Sequence, residues 1–340
     1  MDVEGMQKRI GIRRVHMEED TAKEFHSGDV SLIDYNRSGV PLMEIVTEPD
    51  IRLGEEARQF LIALRTLLRY LGVSSADMEK GAMRCEPNVS VRLAGISEFG
   101  TKVEVKNLNS FRSVKLALDY EIARQAQVLD SGELVRQVTM GWDERRGRTV
   151  EQRIKETSED YRYFPEPDLP PLRVSEEWVG EIRGTLPELP DAVRERFIAD
   201  YGLSRREAST LSGDREVADY FGEVVAAGQE MALAPKTASN WITGELIRLL
   251  RAEGDEIDGG RVTPQALAEL IALVEKGIIT ANSAKVVLAE MYSTRRTAAE
   301  IVEERGLVQI SDQQALASIV EEIIEANPCL FYTSDAAAES

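Results

Sequence analysis

The chain has 340 residues, 43% of them hydrophobic, and a formal net charge of −19, with 60 Asp and Glu against 41 Lys and Arg. That length predicts two or three domains, each with its own core, and the acidic balance excludes broad attraction to phosphate backbones while allowing a local basic patch or a cation-holding site. No apolar run approaches the ~20 residues of a membrane span, the opening MDVEGMQKRIGIRR lacks the apolar core of a secretory signal, and two cysteines without a CxxC pair predict a reducing cytoplasm and no structural zinc.

From Met1 to about Pro171 strand-like and helix-like segments alternate with loops rich in Gly, Pro and Asp, an α+β texture. RRVHMEEDTAK sets His16 beside Glu18, Glu19 and Asp20, and VPLMEIVTEPD places Glu44 inside an apolar segment. GEEARQFLIALRTLLRYLG has helical spacing at Phe60, Leu61, Leu64, Leu67, Leu68 and Leu71, glutamates in its first turn and Gly72 as its stop. After Glu79 come two alternating stretches, MRCEPNVSVR and FGTKVEVKNLNSF, joined by AGISEFG. Side chains on a strand alternate with period two, so Arg84, Glu86, Asn88, Ser90 and Arg92 share one side of the first. Lys102, Glu104 and Lys106 oppose Val103 and Val105 in the second, and the pair predicts an antiparallel hairpin with one apolar and one charged face. SFRSVKLALDYEIARQAQVLDSGE then reads as a helix capped by Ser110, with Val114, Leu118, Ile122 and Val128 on its buried stripe.

The character changes at YRYFPEPDLPPL, and a boundary is expected near Leu186. ELPDAVRERFIADYG, GDREVADYFGEVVAAG, TASNWITGELIRLLRAEG, TPQALAELIALVEKG, ITANSAKVVLAEMY and DQQALASIVEEIIEANP each combine helical spacing with a Gly or Pro stop, which fits a bundle of short helices. The closing CLFYTSDAAAES has no periodicity. The expected division is therefore 1–185 α+β, 186–328 all-helical, and 329–340 an unstructured or foreign tail.

P-loop, Rossmann, HExxH and GxSxG patterns are absent, which leaves the carboxylates. Glu44 and Glu104 have two readings. They face solvent or pair with Lys and Arg, or they are hard oxygen ligands of the kind that suit Mg²⁺ acting on a phosphate substrate. Under the second, the two lie on neighbouring strands and converge on one concave polar face.

The strings HMEEDTAK, DYNRSGVPLMEIVTEPD, RYLGVSSADMEKGAMRCEPNVSVR, EFGTKVEVKNLNSFRSV and EDYRYFPEPDLPPL resemble, in order and spacing, the B-subunit family of the bacterial and organellar aspartyl/glutamyl-tRNA amidotransferases. PELPDAVRERF, ASNWITGEL and GLVQISD are similar to that family's helical region, so the likeness runs from about Ile10 to Pro328. The resemblance implies a cradle-shaped domain of mixed or antiparallel sheet followed by an all-helical domain. It also implies ATP-dependent phosphorylation of the side-chain carboxylate of tRNA(Gln) or tRNA(Asn) mischarged with Glu or Asp, then amidation by ammonia from glutamine. Its partners would be an amidase-like A subunit, a small C subunit and tRNA, with no membrane. Glu19, Glu44, Glu79 and Glu104 would be acidic groups around Mg²⁺, with Glu44, Glu104 and Lys106 in catalysis and Arg84, Asn88, Lys102, Asn107 and Asn109 meeting phosphates or the aminoacyl end. Family members carry a preceding Glu-Val-His strand that contributes to the metal site and a further small helical tail domain. The chain is accordingly expected to be a fragment of such a B subunit, lacking the N-terminal part of the catalytic domain and the tail domain, with weak Mg²⁺ binding and negligible activity by itself. The rival readings are a noncatalytic acidic helical scaffold and a stand-alone Mg²⁺-dependent phosphotransferase, and metal-dependent ATP hydrolysis separates the scaffold from the enzymes.

Overall fold

A computed structural model describes residues 1–3, 5–152, 168, 170–257, 260–309 and 313–326. The proline-rich cluster at 161–167 and the tail at 329–340 lie outside the described residues. The chain is α+β and divides into two compact units, Met1–Pro187 and Glu188–Ser340. Among the described residues no helix is long and apolar enough to cross a membrane.

The first unit opens with strands β1 (Asp2–Val3), β2 (Met6–Gln7), β3 (Ile12–Glu19), β4 (Lys23–Ser27), β5 (Val30–Asp34) and β6 (Pro41–Thr47). They pair antiparallel as three two-stranded ribbons, β1 with β2, β3 with β6 and β4 with β5. Helix α1 (Gly54–Tyr70) follows, then β7 (Asn88–Val89), β8 (Val103–Lys106), α2 (Phe111–Asp130), β9 (Thr139–Asp143), β10 (Arg148–Glu151) and α3 (Glu176–Thr185). The last four strands form one sheet in the order β10-β9-β8-β7. β8 runs antiparallel to β7 and parallel to β9, so α2 is the crossover of a βαβ unit.

Both helices begin and end where their side chains dictate. Ser110 accepts a hydrogen bond from the Ser113 amide and caps α2, and Glu56 accepts from the backbone of Arg52 and Leu53 at the start of α1. Gly72, at φ +65°, lies just past the end of α1. Their apolar stripes meet on one face of the sheet. Ala57 and Leu61 of α1, Val114, Ala117 and Leu118 of α2, and Val89, Val105 and Trp142 of the strands form one buried cluster, with Val103, Val135 and Met140 beside it.

The predicted hairpin is present, but its ladder is only two residues long, Asn88 opposite Glu104 and Val89 opposite Val103. Pro87 has no N–H to extend it, although its carbonyl still accepts from the Val105 amide. Beyond β7 the two arms approach so closely that a side chain at Gly100 would strike the Val91 carbonyl, at 2.1 Å from an added Cβ.

Among the described residues the second unit is all-helical: α4 (Pro190–Tyr201), α5 (Arg205–Leu211), α6 (Arg215–Gly228), α7 (Pro235–Asn240), α8 (Ile247–Glu253), α9 (Pro264–Glu275), α10 (Ala281–Thr294), α11 (Ala298–Glu304) and α12 (Gln313–Ala326). The stretch TASNWITGELIRLLRAEG, one helix by its spacing, contains a π-helical turn at Trp241–Leu246 between α7 and α8. There the Thr243 hydroxyl donates to the Ser239 carbonyl one turn back. Phe197, Tyr201 and Phe221 form an aromatic trio, with Phe197 and Phe221 at 4.9 Å and edge to face. Phe197 is fully buried, so Phe197→Ala removes both the burial and the ring contacts. It should cost the helical unit about 3–5 kcal/mol, read as a lower urea midpoint by fluorescence of Trp241.

Candidate active face of the four-stranded sheet

With helices covering the Val103 and Val105 side of β8, the pleat turns Glu104 and Lys106 to the opposite side. Register then decides their company. Asn88 lies opposite Glu104 on β7, while on β9 Thr139 lies opposite Glu104 and Gly141 opposite Lys106. The Thr139 hydroxyl donates to Glu104 Oε2 at 3.1 Å. The Lys106 ammonium stands between two carboxylates, 3.3 Å from Glu86 and 3.6 Å from Glu104. Gly141 leaves room beside them for the Gln152 carboxamide, which a Cβ there would strike, and such a Cβ would also come within 3.1 Å of Asn107 Nδ2. Asn107 follows β8 with φ +62°, a left-handed turn that asparagine tolerates.

Glu104, Lys106, Asn88 and Asn107 are thus brought together. Arg84 and Lys102 are exposed, on the extensions of β7 and β8 and in step with the polar side, and Asn109 is exposed immediately before the α2 cap. The face is mixed in sign rather than basic. Glu86 is the member that site reasoning from sequence passed over, and its signal was the same alternation that places Arg84 and Asn88.

The predicted glutamate cluster is not assembled. Glu44 and Glu104 are not on neighbouring strands: both edges of β8 are taken, by β7 and β9, and β6 pairs with β3 in a separate ribbon. On that ribbon Glu44 lies opposite His16 and Glu19 opposite Pro41, positions of opposite parity and hence opposite faces. Glu44 takes an ion pair with Arg14 at 2.9 Å, the first of its two sequence readings. Glu79 sits in an exposed turn whose amide donates to Asp77. Among the described residues no three His, Cys, Asp or Glu gather as a metal-holding group. What the polar face offers is narrower, two carboxylates beside a lysine, a donor set that suits Mg²⁺ only together with substrate phosphates. Burial, assisted by Glu86, pushes the Cys85 thiol up to about 12, away from the thiolate form that a nucleophile uses.

The chain is similar along most of its length to known proteins. A protein-family description, the GatB/GatE catalytic domain, matches residues 1–180, and a second, the GatB domain, matches 219–334. The B subunit of the aspartyl/glutamyl-tRNA(Asn/Gln) amidotransferase of Carboxydothermus hydrogenoformans is 48% identical over 333 residues, covering 96% of this chain and 68% of that protein. Its namesakes from Caldanaerobacter subterraneus subsp. tengcongensis and Roseiflexus castenholzii are 51% and 50% identical, covering 96% and 94% of this chain and 68% and 67% of theirs. The chain belongs to the GatB/GatE family.

Burial works against the charge on Lys106, but the carboxylates of Glu86 and Glu104 outweigh it and hold the ammonium above its usual 10.5. Its contribution to stability is therefore complete below the ordinary lysine pKa and lost as pH rises through the raised value. Solvent reaches 37% of the side chain, so screening keeps that contribution small. A Glu86→Gln/Glu104→Gln double variant should titrate Lys106 at lower pH than the parent by NMR of the lysine side chain. An unmoved titration would show that the carboxylates do not hold it.

Proposed function

We propose that the chain acts in the cytoplasm as the B subunit of an aspartyl/glutamyl-tRNA amidotransferase, a ligase-type enzyme of protein biosynthesis, and that the polar face of the four-stranded sheet is its reacting surface. The observation that carries this is Lys106 held between Glu86 and Glu104 on an open face, with Asn88 and Thr139 against Glu104. The family match supports the general role. The partners implied are an amidase-like A subunit that hydrolyses glutamine, a small C subunit and mischarged tRNA(Gln) or tRNA(Asn).

A carboxylate is a poor acyl donor, and the chemistry proceeds in two steps. The side-chain carboxylate oxygen of the mischarged Glu or Asp attacks the γ-phosphorus of ATP, the bond to ADP breaks, and an acyl phosphate forms. Ammonia then attacks the acyl carbon and loses a proton, and inorganic phosphate leaves with the C–O electron pair, giving the amide. Phosphoryl transfer asks the protein for position and charge rather than covalent help. Lys106 supplies the positive charge toward phosphoryl oxygens, and the side-chain amides of Asn88, Asn107 and Asn109 offer both donors and acceptors to the aminoacyl end. Arg84 and Lys102 flank the face where backbone phosphates of an acceptor stem arrive, a local contact on an otherwise acidic protein. Glu104 and Glu86 would hold magnesium together with the phosphates of ATP, and the ion would supply charge neutralisation there.

The test is a chimera in which this chain replaces the matched part of the Carboxydothermus B subunit, assembled with that enzyme's other subunits. It should form amide on mischarged tRNA with ATP and glutamine. Glu104→Gln should lower amide formation by about 100-fold while glutamine hydrolysis persists, since only the first reaction uses the polar face. Full amidation by Glu104→Gln would remove the face from the mechanism, and an inactive chimera would remove the assignment itself.

A further inference from the structure

The strand that carries Asn88, with Glu86 on the segment leading into it, is the weakest element of the sheet: β7 is two residues long, lies at an edge and meets β8 at only two register positions. What it lacks in ladder it receives from a helix. The Gln125 carboxamide of α2 donates through Nε2 to the Val89 carbonyl at 3.1 Å, and accepts through Oε1 from the Val91 amide, also at 3.1 Å. One side chain thereby meets a carbonyl and an amide two residues apart, the contacts that a neighbouring strand would make.

Gln125 cannot turn over. Its Nε2 also donates to Glu121 Oε1 at 2.9 Å, and an ionised carboxylate only accepts, so the amide nitrogen must face Glu121 and the amide oxygen must face Val91. Glu121 is itself immobilised. Arg124 grips it through Nη2 at 2.6 Å and Nε at 2.9 Å, and the Thr149 hydroxyl on β10 donates to it at 2.9 Å. Glu121 and Gln125 are fully buried, and Thr149 is buried. The chain of contacts runs from β10 through α2 to β7, crossing the helix-covered side of the sheet, and each of its polar groups has a partner.

We propose that Gln125, oriented by Glu121, is a positioning residue for the reacting face. Its carboxamide stands in for the missing strand neighbour of β7 and so sets where Glu86 and Asn88 stand relative to Lys106 and Glu104. This rests on the reading of the polar face given above, whereas the clamp itself is testable without it. Removing Gln125 leaves the Lys106 side chain untouched and releases the strand that brings Glu86 to it.

Amide hydrogen exchange on the chain reads the clamp directly. In the unaltered protein the Val91 amide, beyond the end of β7, should exchange as slowly as that of Val105 within the sheet; exchange at the free-peptide rate overturns the proposal without any variant. In Gln125→Met, which keeps length but loses both bonds to the strand and the one to Glu121, Val91 should exchange about tenfold faster while the amides of α1 and β8 hold their rates. Unchanged exchange at Val91, or an equal rise throughout the unit, makes Gln125 an ordinary packing residue and overturns the proposal. In the active chimera, Gln125→Met should also lower kcat for amidation about tenfold while glutamine hydrolysis keeps its rate, an effect that loss of stability does not produce. Amidation equal to that of the parent overturns the positioning role. An inactive parent chimera counts against the assigned function, and the exchange rates then decide the clamp.

Discussion

A strand can hide only one of its two faces behind a layer of helices, and on β8 the hidden one belongs to Val103 and Val105, both fully buried. Everything proposed for the α+β unit follows from that choice. Because α1 and α2 close over the valines, Glu104 and Lys106 stand on the other side of the sheet, and their charges are met by what the neighbouring strands and their extensions present. A slip of one residue in β8 would bury a glutamate and a lysine and expose two valines, so the apolar cluster fixes the register with the same force that assembles the core.

The filled edges of β8 explain why the glutamates are distributed as they are. A strand has room for two neighbours, and β7 and β9 occupy both. β6 therefore pairs elsewhere, and Glu44 balances its charge with Arg14 on the ribbon instead of joining Glu104. At 48% side-chain exposure Glu44 loses little hydration by being charged, and its ion pair contributes correspondingly little to stability. On the sheet the situation differs, since Lys106 draws two carboxylates to one ammonium and the three groups form a compact unit of alternating charge.

How much of this was legible in the sequence depends on how local the signal was. The two long helices of the first unit could be read from spacing, first-turn glutamates, the Ser110 cap and Gly72, because all of these act within a few residues. The antiparallel pairing of the two alternating stretches followed from alternation and a short connection, whereas its register, Asn88 opposite Glu104, did not. Sheet order did not, since it is decided by contacts distant in sequence: Thr139 reaches Glu104 only because β9, 35 residues on, settles parallel to β8. An apolar strand interrupted by a glutamate says which face is polar and nothing about which strand lies next to it, and so Glu44 and Glu104 were expected together. Glu86 falls on the polar side by alternation and was still passed over, because an exposed acid on an alternating strand has no mark of its own until Lys106 is placed against it. The family, by contrast, was carried by long strings of residues in order, a signal that does not depend on knowing the sheet.

The sheet sets two kinds of polar chemistry back to back. On the covered side Glu121, Gln125 and Thr149 are enclosed with each hydrogen-bonding group partnered, which is the condition under which buried polar groups are tolerated, and the arrangement is correspondingly rigid. On the open side Glu104, Lys106, Asn88 and Asn107 keep solvent access and with it the capacity to exchange partners for a substrate. A reacting surface needs both properties, and no single residue can supply them, since a side chain locked by neighbours on all sides has no bonds to offer. Dividing the tasks across the thickness of one sheet resolves the conflict. Strand β7, too short to hold itself in place, is where the two sides meet: Gln125 grips its backbone from beneath, while Glu86 and Asn88 point the other way.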